Sequence, residues 1–437
     1  MRTYQGPRGM RDLLPAEAAA FDALQRVVQA RAERYGYPRM STPIVEDRQV
    51  FLRTAGETSD AASKEMYEVA LHGSGDLALR PEGTAPVARA FLEHGLHRTP
   101  MPQRYFYWEP MFRGQRPQLL RYRQFWQWGL ECYGAEGPAA DIEIIEFTAN
   151  LLAEVGLTDV ELVINSIGDG PCRAKVRDGL GAYFSARREE LSAESQQRLE
   201  ANVLRILDSK EPKDRKVAEG APKVRDLICD ADRAHFDSVT AGLDRLGIRY
   251  TVTDSLVRGL DYYTRTVFEF WLTDPEYTKS GRIAVGAGGR YDGLVETMGG
   301  PAIPGVGIAG GVDVLLAALA KQGVALPEAP RAEVYVLSAE ADDHADRVQI
   351  AIPLREAGFR VAIDYSPRAL EKQLETAVKQ GAKVAVIRGT PEARGGNVIV
   401  RDLEKKEQRV TRLAAVVTEV GRHAPKYRRP ALKEERE

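Results

Sequence analysis

The 437-residue chain has little cysteine, little histidine and no long unbroken apolar run. Its three cysteines, Cys132, Cys172 and Cys229, lie far apart and form no CxxC. That spacing argues against a structural zinc site and against a disulfide framework, and it fits a reducing cytosol. No apolar stretch approaches the ~18 residues of a membrane span. The opening MRTYQGPRGMRDLLP has no apolar h-region, so neither a signal peptide nor membrane association is expected. Charge of one sign is also absent. The 61 Lys and Arg stand against 63 Asp and Glu, a net of −2, which argues against a protein that coats nucleic acid nonspecifically. No GxxxxGK[ST] occurs, so a P-loop is excluded. Of the six histidines, His94 and His97 share i,i+3 spacing, but no Cys or carboxylate completes a ligand set. No metal site is assignable to protein side chains.

What is present reads as an ordinary globular chain, with 43% hydrophobic and 28% charged residues. Its length suggests two or three domains. The stretch from Lys321 to Pro330, punctuated by Gly and Pro, marks a boundary. Residues 1–330 carry a net −6 and residues 331–437 a net +4. Residues 331–425 read as an α/β domain, with strands at 332–338, 359–365, 382–389 and 396–403 and helices over 342–357 and 368–380. This order predicts a mostly parallel sheet. Residues 426–437 read as a polar tail. Residues 1–325 open with a helix over 16–35. Aromatic, arginine-rich strands follow, with a hairpin at 106–113 and 122–131. A charged helical insertion spans 170–250, and strands resume at 251–253, 265–272 and 282–287. An apolar helix begins at about 312. Helices appended to strands, rather than alternating with them, predict an α+β fold on an antiparallel sheet.

Four segments carry chemistry. In LALRPEGTAPVARAF, Glu82 and Thr84 sit at a strand–helix turn. A carboxylate there either binds a substrate ammonium or caps the helix that follows. In the hairpin, Arg113, Arg116, Arg121 and Arg123 fall within eleven residues, and planar guanidinium forks suit phosphate. Alternation along the second strand puts Gln127, Gly129 and Glu131 on one face, a floor for a small molecule. In SLVRGLDYYTRTVFEF, Arg258 and Asp261 flank an aromatic turn, either as a structural pair or with Arg258 turned to a phosphate. The glycines of 286–311 allow close backbone approach. Gly305, Gly307 and Gly310 match GxGxxG, but Pro304 precedes them and no acidic residue follows about 20 residues later, so a dinucleotide site is rejected.

Taken together and in this order, RGMRDLLP, RPEGT, MFRGQRPQLLRYRQFWQ, LVRGLDYYTRTVFEF and GGRYDGL resemble the histidyl-tRNA synthetases, a class II aminoacyl-tRNA synthetase family. The resemblance spans essentially the whole chain. It implies a class II antiparallel sheet flanked by helices, with a helical insertion and a C-terminal α/β anticodon-binding domain. It also implies a cytoplasmic homodimer using ATP and Mg²⁺ that forms histidyl-adenylate and passes histidine to the 3′ end of tRNA(His). Carried over by position, Arg113 and Arg258 would approach the α-phosphate from two sides. Glu82, Gly83, Thr84 and Gln127 would hold the amino end of histidine. Glu131 and Tyr263, with Tyr262 close by, would read its imidazole. Gln115, Gln118, Arg121 and Arg123 would lie where ATP and the tRNA acceptor end meet the hairpin loop.

Three positions depart from the pattern. The family's motif 3 Glu-Arg pair, whose Arg contacts the ATP γ-phosphate, is Asp313-Val314 here. Gln115 replaces a Glu, and Leu120 replaces a Gly. These departures give weight to one rival, the catalytically silent relative that serves as a regulatory subunit of ATP phosphoribosyltransferase. That relative usually lacks the full LVRGLDYYTRTVFE segment and the anticodon-binding domain, both of which this chain has.

Overall fold

The computed structural model describes residues 4–55, 65–70, 75–117, 119–257, 260, 262–278, 282–340 and 344–426. Within them the chain forms two compact units, the first holding residues 4–14 and 20–326 and the second 15–19 and 327–426.

In the first unit, β1 (Val45–Asp47), β2 (Tyr67–Val69) and β3 (Leu77–Leu79) form a small antiparallel sheet in the order β1-β3-β2. The main sheet holds β4 (Gln103–Phe112), β5 (Gln124–Tyr133), β6 (Val160–Ser166), β7 (Thr251–Val252), β8 (Thr264–Leu272), β9 (Ala284–Arg290) and β10 (Gly305–Gly311). Its order is β4-β5-β10-β9-β8-β6-β7. All neighbours are antiparallel except β6 and β7, so the α+β expectation holds.

The β4–β5 hairpin pairs continuously from Gln103↔Tyr133 to Phe112↔Gln124. Alternation along β5 divides its residues between two environments. Trp128, Leu130 and Cys132 join the main core with Leu24, Val28, Ile144, Leu151, Val239 and Leu315. Those partners come from the helices Pro15–Arg34, Ala139–Val155, Asp230–Arg245 and Val312–Lys321. Tyr133 belongs to a second cluster with Tyr107, Val163, Tyr262, Tyr263 and Tyr291, which the insertion joins through Val176, Leu180 and Phe184.

Much of the glycine cluster is strand, in β9 and β10, and in β10 the room is taken by side chains of this chain. Interior glycine weakens a strand unless something needs the room. Here a Cβ on Gly305 would come within 2.3 Å of the Tyr291 ring, on Gly307 within 2.1 Å of the Glu131 carboxylate, and on Gly310 within 2.3 Å of the Trp128 indole.

The insertion is helical, with Gly170–Ser185, Ala193–Ala201, Pro212–Ala218 and Val224–Leu227. Its hub is Asp214, which is fully buried. Asp214 accepts from the Ser192 amide at 2.7 Å and from the hydroxyls of Ser192, Ser195 and Ser209 at 2.7, 2.6 and 2.7 Å. Burial pushes its carboxyl up, but these bonds outweigh it and hold the group below the usual range. The helix Asp230–Arg245, expected as part of the insertion, packs Phe236, Val239 and Leu243 into the main core.

The expectation that no disulfide forms is also corrected. Cys172 and Cys229 are bonded, with Cα atoms 5.5 Å apart across a separation of 57 residues. Spacing along the chain hides this contact because the insertion leaves the sheet and returns to it. Cys132 is free and buried.

In the second unit, β11 (Val334–Ser338), β12 (Val361–Ile363), β13 (Val384–Arg388), β14 (Asn397–Asp402) and β15 (Gln408–Arg412) order as β12-β11-β13-β14-β15. The first three are parallel, as expected, while β14 and β15 add an antiparallel half. Val334, Val336, Leu354, Val384, Val386 and Val400 form its core. β15 escaped the sequence reading because QRVTR is a largely exposed edge strand with no apolar alternation. Past Lys426 the expected polar tail lies outside the described residues.

Candidate active site

A cleft of about 490 Å³ opens in the first unit, and Glu82, Thr84, Arg113, Gln127, Tyr262 and Tyr263 are on its wall. The turn at 80–84 is anchored from below. Arg80 is buried and donates through Nε to the Pro110 carbonyl at 3.0 Å, through Nη1 to the Thr42 carbonyl at 2.7 Å, and through Nη2 to Glu109 at 3.0 Å. Gly83 leaves room for the Tyr107 ring, which a Cβ would meet at 2.5 Å. The same ring lies over Gly129, where a Cβ would meet it at 2.1 Å.

Glu82 caps the helix Thr84–Glu93, accepting from the amides of Thr84 at 2.7 Å and Ala85 at 2.9 Å. The capping role and a place on the cleft wall are therefore compatible. Burial pushes its carboxyl up, while the two amides and the Arg113 guanidinium pull against that.

Glu131 is fully buried and lies behind this wall. It accepts from Thr84 Oγ1 at 2.7 Å and from the Tyr291 hydroxyl. Burial raises its carboxyl to about 8, against the lowering effect of those two hydrogen bonds. At neutral pH the protonated form is favoured. Gln127 faces the cleft, and its side-chain carbonyl is buried with no hydrogen-bond partner among the described residues. A buried acceptor of this kind calls for a donor from a ligand. The Tyr262 and Tyr263 rings touch, with centroids 4.7 Å apart.

Arg113 directly follows β4 and stands on the same wall, close to Glu82. Its Nε donates to the Pro81 carbonyl at 2.8 Å, and its guanidinium lies 5.2 Å from the Phe125 ring centre. Gln115 and Arg121 are on the wall. Arg123 is not among the wall residues. It donates to the Gln115 carbonyl at 3.1 Å and to the Arg8 carbonyl at 3.5 Å, which ties the hairpin loop to the N-terminal segment. Arg258, Asp261 and Gln118 lie outside the described residues.

Asp313 accepts from Arg11 at 2.7 Å and from the Trp126 amide at 3.0 Å. Val314 presents an isopropyl group to the same cleft. Leu120 adopts φ +59, the left-handed region that glycine enters most readily.

Tyr291 and Tyr107 were not singled out from the sequence. The available signal was GGRYDG. In it Arg290 is fully buried against Asp141, the Ala135 carbonyl at 2.8 Å and the Gly137 carbonyl at 2.9 Å, which fixes the neighbouring Tyr291 against Glu131. Arg205, Glu269 and Arg282 also reach the cleft wall unforeseen.

The histidyl-tRNA synthetase family model matches residues 9–315. The chain belongs to the histidyl-tRNA synthetase family. An anticodon-binding-domain model matches residues 333–423. The histidine–tRNA ligase of Desulforudis audaxviator is 42% identical over 420 residues, 96% of this chain and 98% of that protein. That of Halothermothrix orenii is 40% identical over 416 residues, 95% and 98% of the two chains. Among solved structures, the apo histidyl-tRNA synthetase of S. aureus superimposes with a TM-score of 0.78 at 32% identity, covering 95% of this chain and 99% of that one. Membership makes the chain an aminoacyl-tRNA ligase and agrees with the class II sheet described above. Among the described residues no helix is long and apolar enough to cross a membrane.

Proposed function

We propose that the chain activates histidine with ATP, releasing pyrophosphate, and transfers histidine from the adenylate to the 3′ end of tRNA(His). The observation that carries this reading is one cleft with a guanidinium at Arg113 and a buried amide carbonyl at Gln127 that has no partner among the described residues, in a chain of this family. Gln127 accepts from the ammonium of histidine, and the Glu82 carboxylate adds negative charge beside it. Tyr263 on the cleft wall meets the imidazole, and the buried Glu131–Tyr291 pair behind that wall sets the polarity it reads. A site that pairs both ring nitrogens rejects apolar isosteres, whose binding would leave buried polar groups unmatched.

Arg113 stabilises charge as it develops on the α-phosphate, and Arg258 is assigned the same task from its motif alone. The histidine carboxylate is itself the nucleophile, so the protein contributes position and charge rather than a covalent group. Mg²⁺ neutralises polyphosphate charge when bound. Glu65 and Glu269 put hard oxygen donors of the kind it takes on the cleft wall. Gln115, Gln118, Arg121 and Arg123 are read as the loop that meets ATP and the acceptor end. Residues 331–425 are read as the module that grips the anticodon arm, and the +4 excess of residues 331–437 suits an RNA-facing surface. A cytoplasmic homodimer completes the reading.

The test is histidine-dependent ATP–pyrophosphate exchange with Mg²⁺, followed by charging of tRNA(His). Both activities are expected. A protein that binds histidine but gives no exchange would instead be the silent regulatory type that Val314 brings to mind.

A further inference from the structure

The insertion begins and ends at one cluster. Cys172 sits in the first turn of the helix Gly170–Ser185, whose N-cap Asp169 accepts from the Cys172 amide at 3.3 Å. Cys229 is the N-cap of the helix Asp230–Arg245. The ligand atoms of Asp169, Cys172, Cys229 and Asp232 lie within 4.8 Å of one another. Asp232 accepts from the Asp169 amide at 2.7 Å. The remaining oxygens go to Arg265, whose Nε reaches Asp232 at 2.9 Å and whose Nη2 reaches Asp169 at 3.1 Å.

Arg265 is two residues from Tyr263, has φ +49, and donates its own amide to the Gly168 carbonyl at 3.0 Å. Arg173, next to Cys172, donates to the Tyr263 carbonyl at 3.0 Å. The Cys172–Cys229 bond therefore joins the two helix starts that hold the segment carrying Tyr262 and Tyr263.

We propose that Cys172 and Cys229 are a reversible thiol–disulfide site that couples the surrounding thiol pool to histidine affinity. This rests on the reading of Tyr263 as part of the histidine pocket. In a reducing compartment, disulfides are rare and those that form are usually transient or redox-sensing. The two cysteines differ in exposure, since Cys229 is half-buried and Cys172 is buried.

The oxidant is a low-molecular-weight disulfide such as oxidised glutathione. The Cys229 thiolate attacks one of its sulfurs and expels one thiol. The Cys172 thiolate then attacks the Cys229 sulfur of the mixed disulfide and expels the second. One S–S bond is formed and one consumed, and the two cysteine protons pass to the two released thiols. A metal is the weaker reading of the same cluster. All four carboxylate oxygens already accept hydrogen bonds. Two thiolates would also add negative charge beside two carboxylates, whereas a disulfide is neutral.

The full chain is equilibrated in glutathione buffers of graded poise. Thiols are counted after denaturation, and histidine affinity is read by calorimetry and by the histidine KM of exchange. The count should move between one and three, with Cys132 always free. The dithiol form should bind histidine more weakly, on the order of fivefold, with kcat changed less. Cys229→Ser should show the weaker affinity at every poise, and Cys172→Ala should match it. Three thiols at every poise, equal affinity in both forms, or thiols protected by chelatable zinc would each overturn the proposal. A chain that binds histidine but gives no exchange would overturn the ligase reading instead, and the calorimetric affinities would still decide this one.

Discussion

Glu131 is a carboxyl group packed among tyrosines, and its chemistry follows from that burial. Its folded pKa of about 8 lies above that of an unfolded glutamate, so folding takes up a proton between roughly pH 4.5 and 8. Stability from this group is present below that window and falls as pH rises through it. Glu131→Gln should therefore flatten the decline in thermal stability across the window by on the order of 1 kcal/mol or more. Parallel stability–pH curves for the two proteins would contradict the assignment. Position 314 makes a second residue-scale prediction. A guanidinium beside ATP makes charge-assisted contacts that an isopropyl group cannot. Val314→Arg should lower the ATP KM by up to about tenfold in the exchange assay. An unchanged KM would mean that other cations of the cleft already meet the phosphates.

At the scale of elements, the hairpin and the insertion position the site in different ways. On β5, Gly129 exists for the Tyr107 ring. Gly129→Ala places a methyl group 2.1 Å from that ring, so the ring or the strand must shift. A cost of about 1–3 kcal/mol in urea unfolding is expected, together with weaker histidine binding. An unaltered midpoint and affinity would show that the ring has room to move. Within the insertion, Asp214 ties three serines together beside apolar packing by Val176, Leu180, Phe184, Leu191 and Ile206. Asp214→Ala leaves three hydroxyls and an amide without their acceptor and should cost on the order of 3 kcal/mol. Because its folded pKa is depressed, the wild-type contribution persists above the ordinary aspartate range and is lost as pH falls through the folded value. Limited proteolysis should cut the variant within 186–224 first. Cleavage unchanged from wild type would remove Asp214 from this role.

At the scale of the molecule, the two units have separate cores, and the division between Leu326 and Pro327 falls in the Gly/Pro stretch read as a linker. Removing residues 331–437 should leave pyrophosphate exchange largely intact and reduce tRNA charging by at least about tenfold. Equal losses in both would make the second unit a structural support. The near-zero total charge is the sum of a net −6 over residues 1–330 and a net +4 beyond them, and only the second part carries a basic excess.

Much of this was readable in one dimension because it is local or periodic. The β4–β5 hairpin, the two faces of β5, the capping carboxylate Glu82 and the strand–helix alternation beyond Lys321 each follow from neighbours in the chain. The family motifs pointed to Arg113, Gln127 and Tyr263, which line the cleft, and to Glu131, which lies behind it. Other features depended on which distant segments meet. The glycines of β10 signal close approach, but only the fold shows that Tyr291, Glu131 and Trp128 occupy the room of the missing Cβ atoms. Tyr107 joined Gly83 to Gly129 only through pairing across the hairpin. The elevated pKa of Glu131 came from burial that no short window encodes. Cys172 and Cys229, 57 residues apart, met because the insertion starts and ends on one edge of the sheet. Residue type and spacing determine which chemistry a segment can carry, but desolvation and contact between distant segments exist only once the chain has closed on itself.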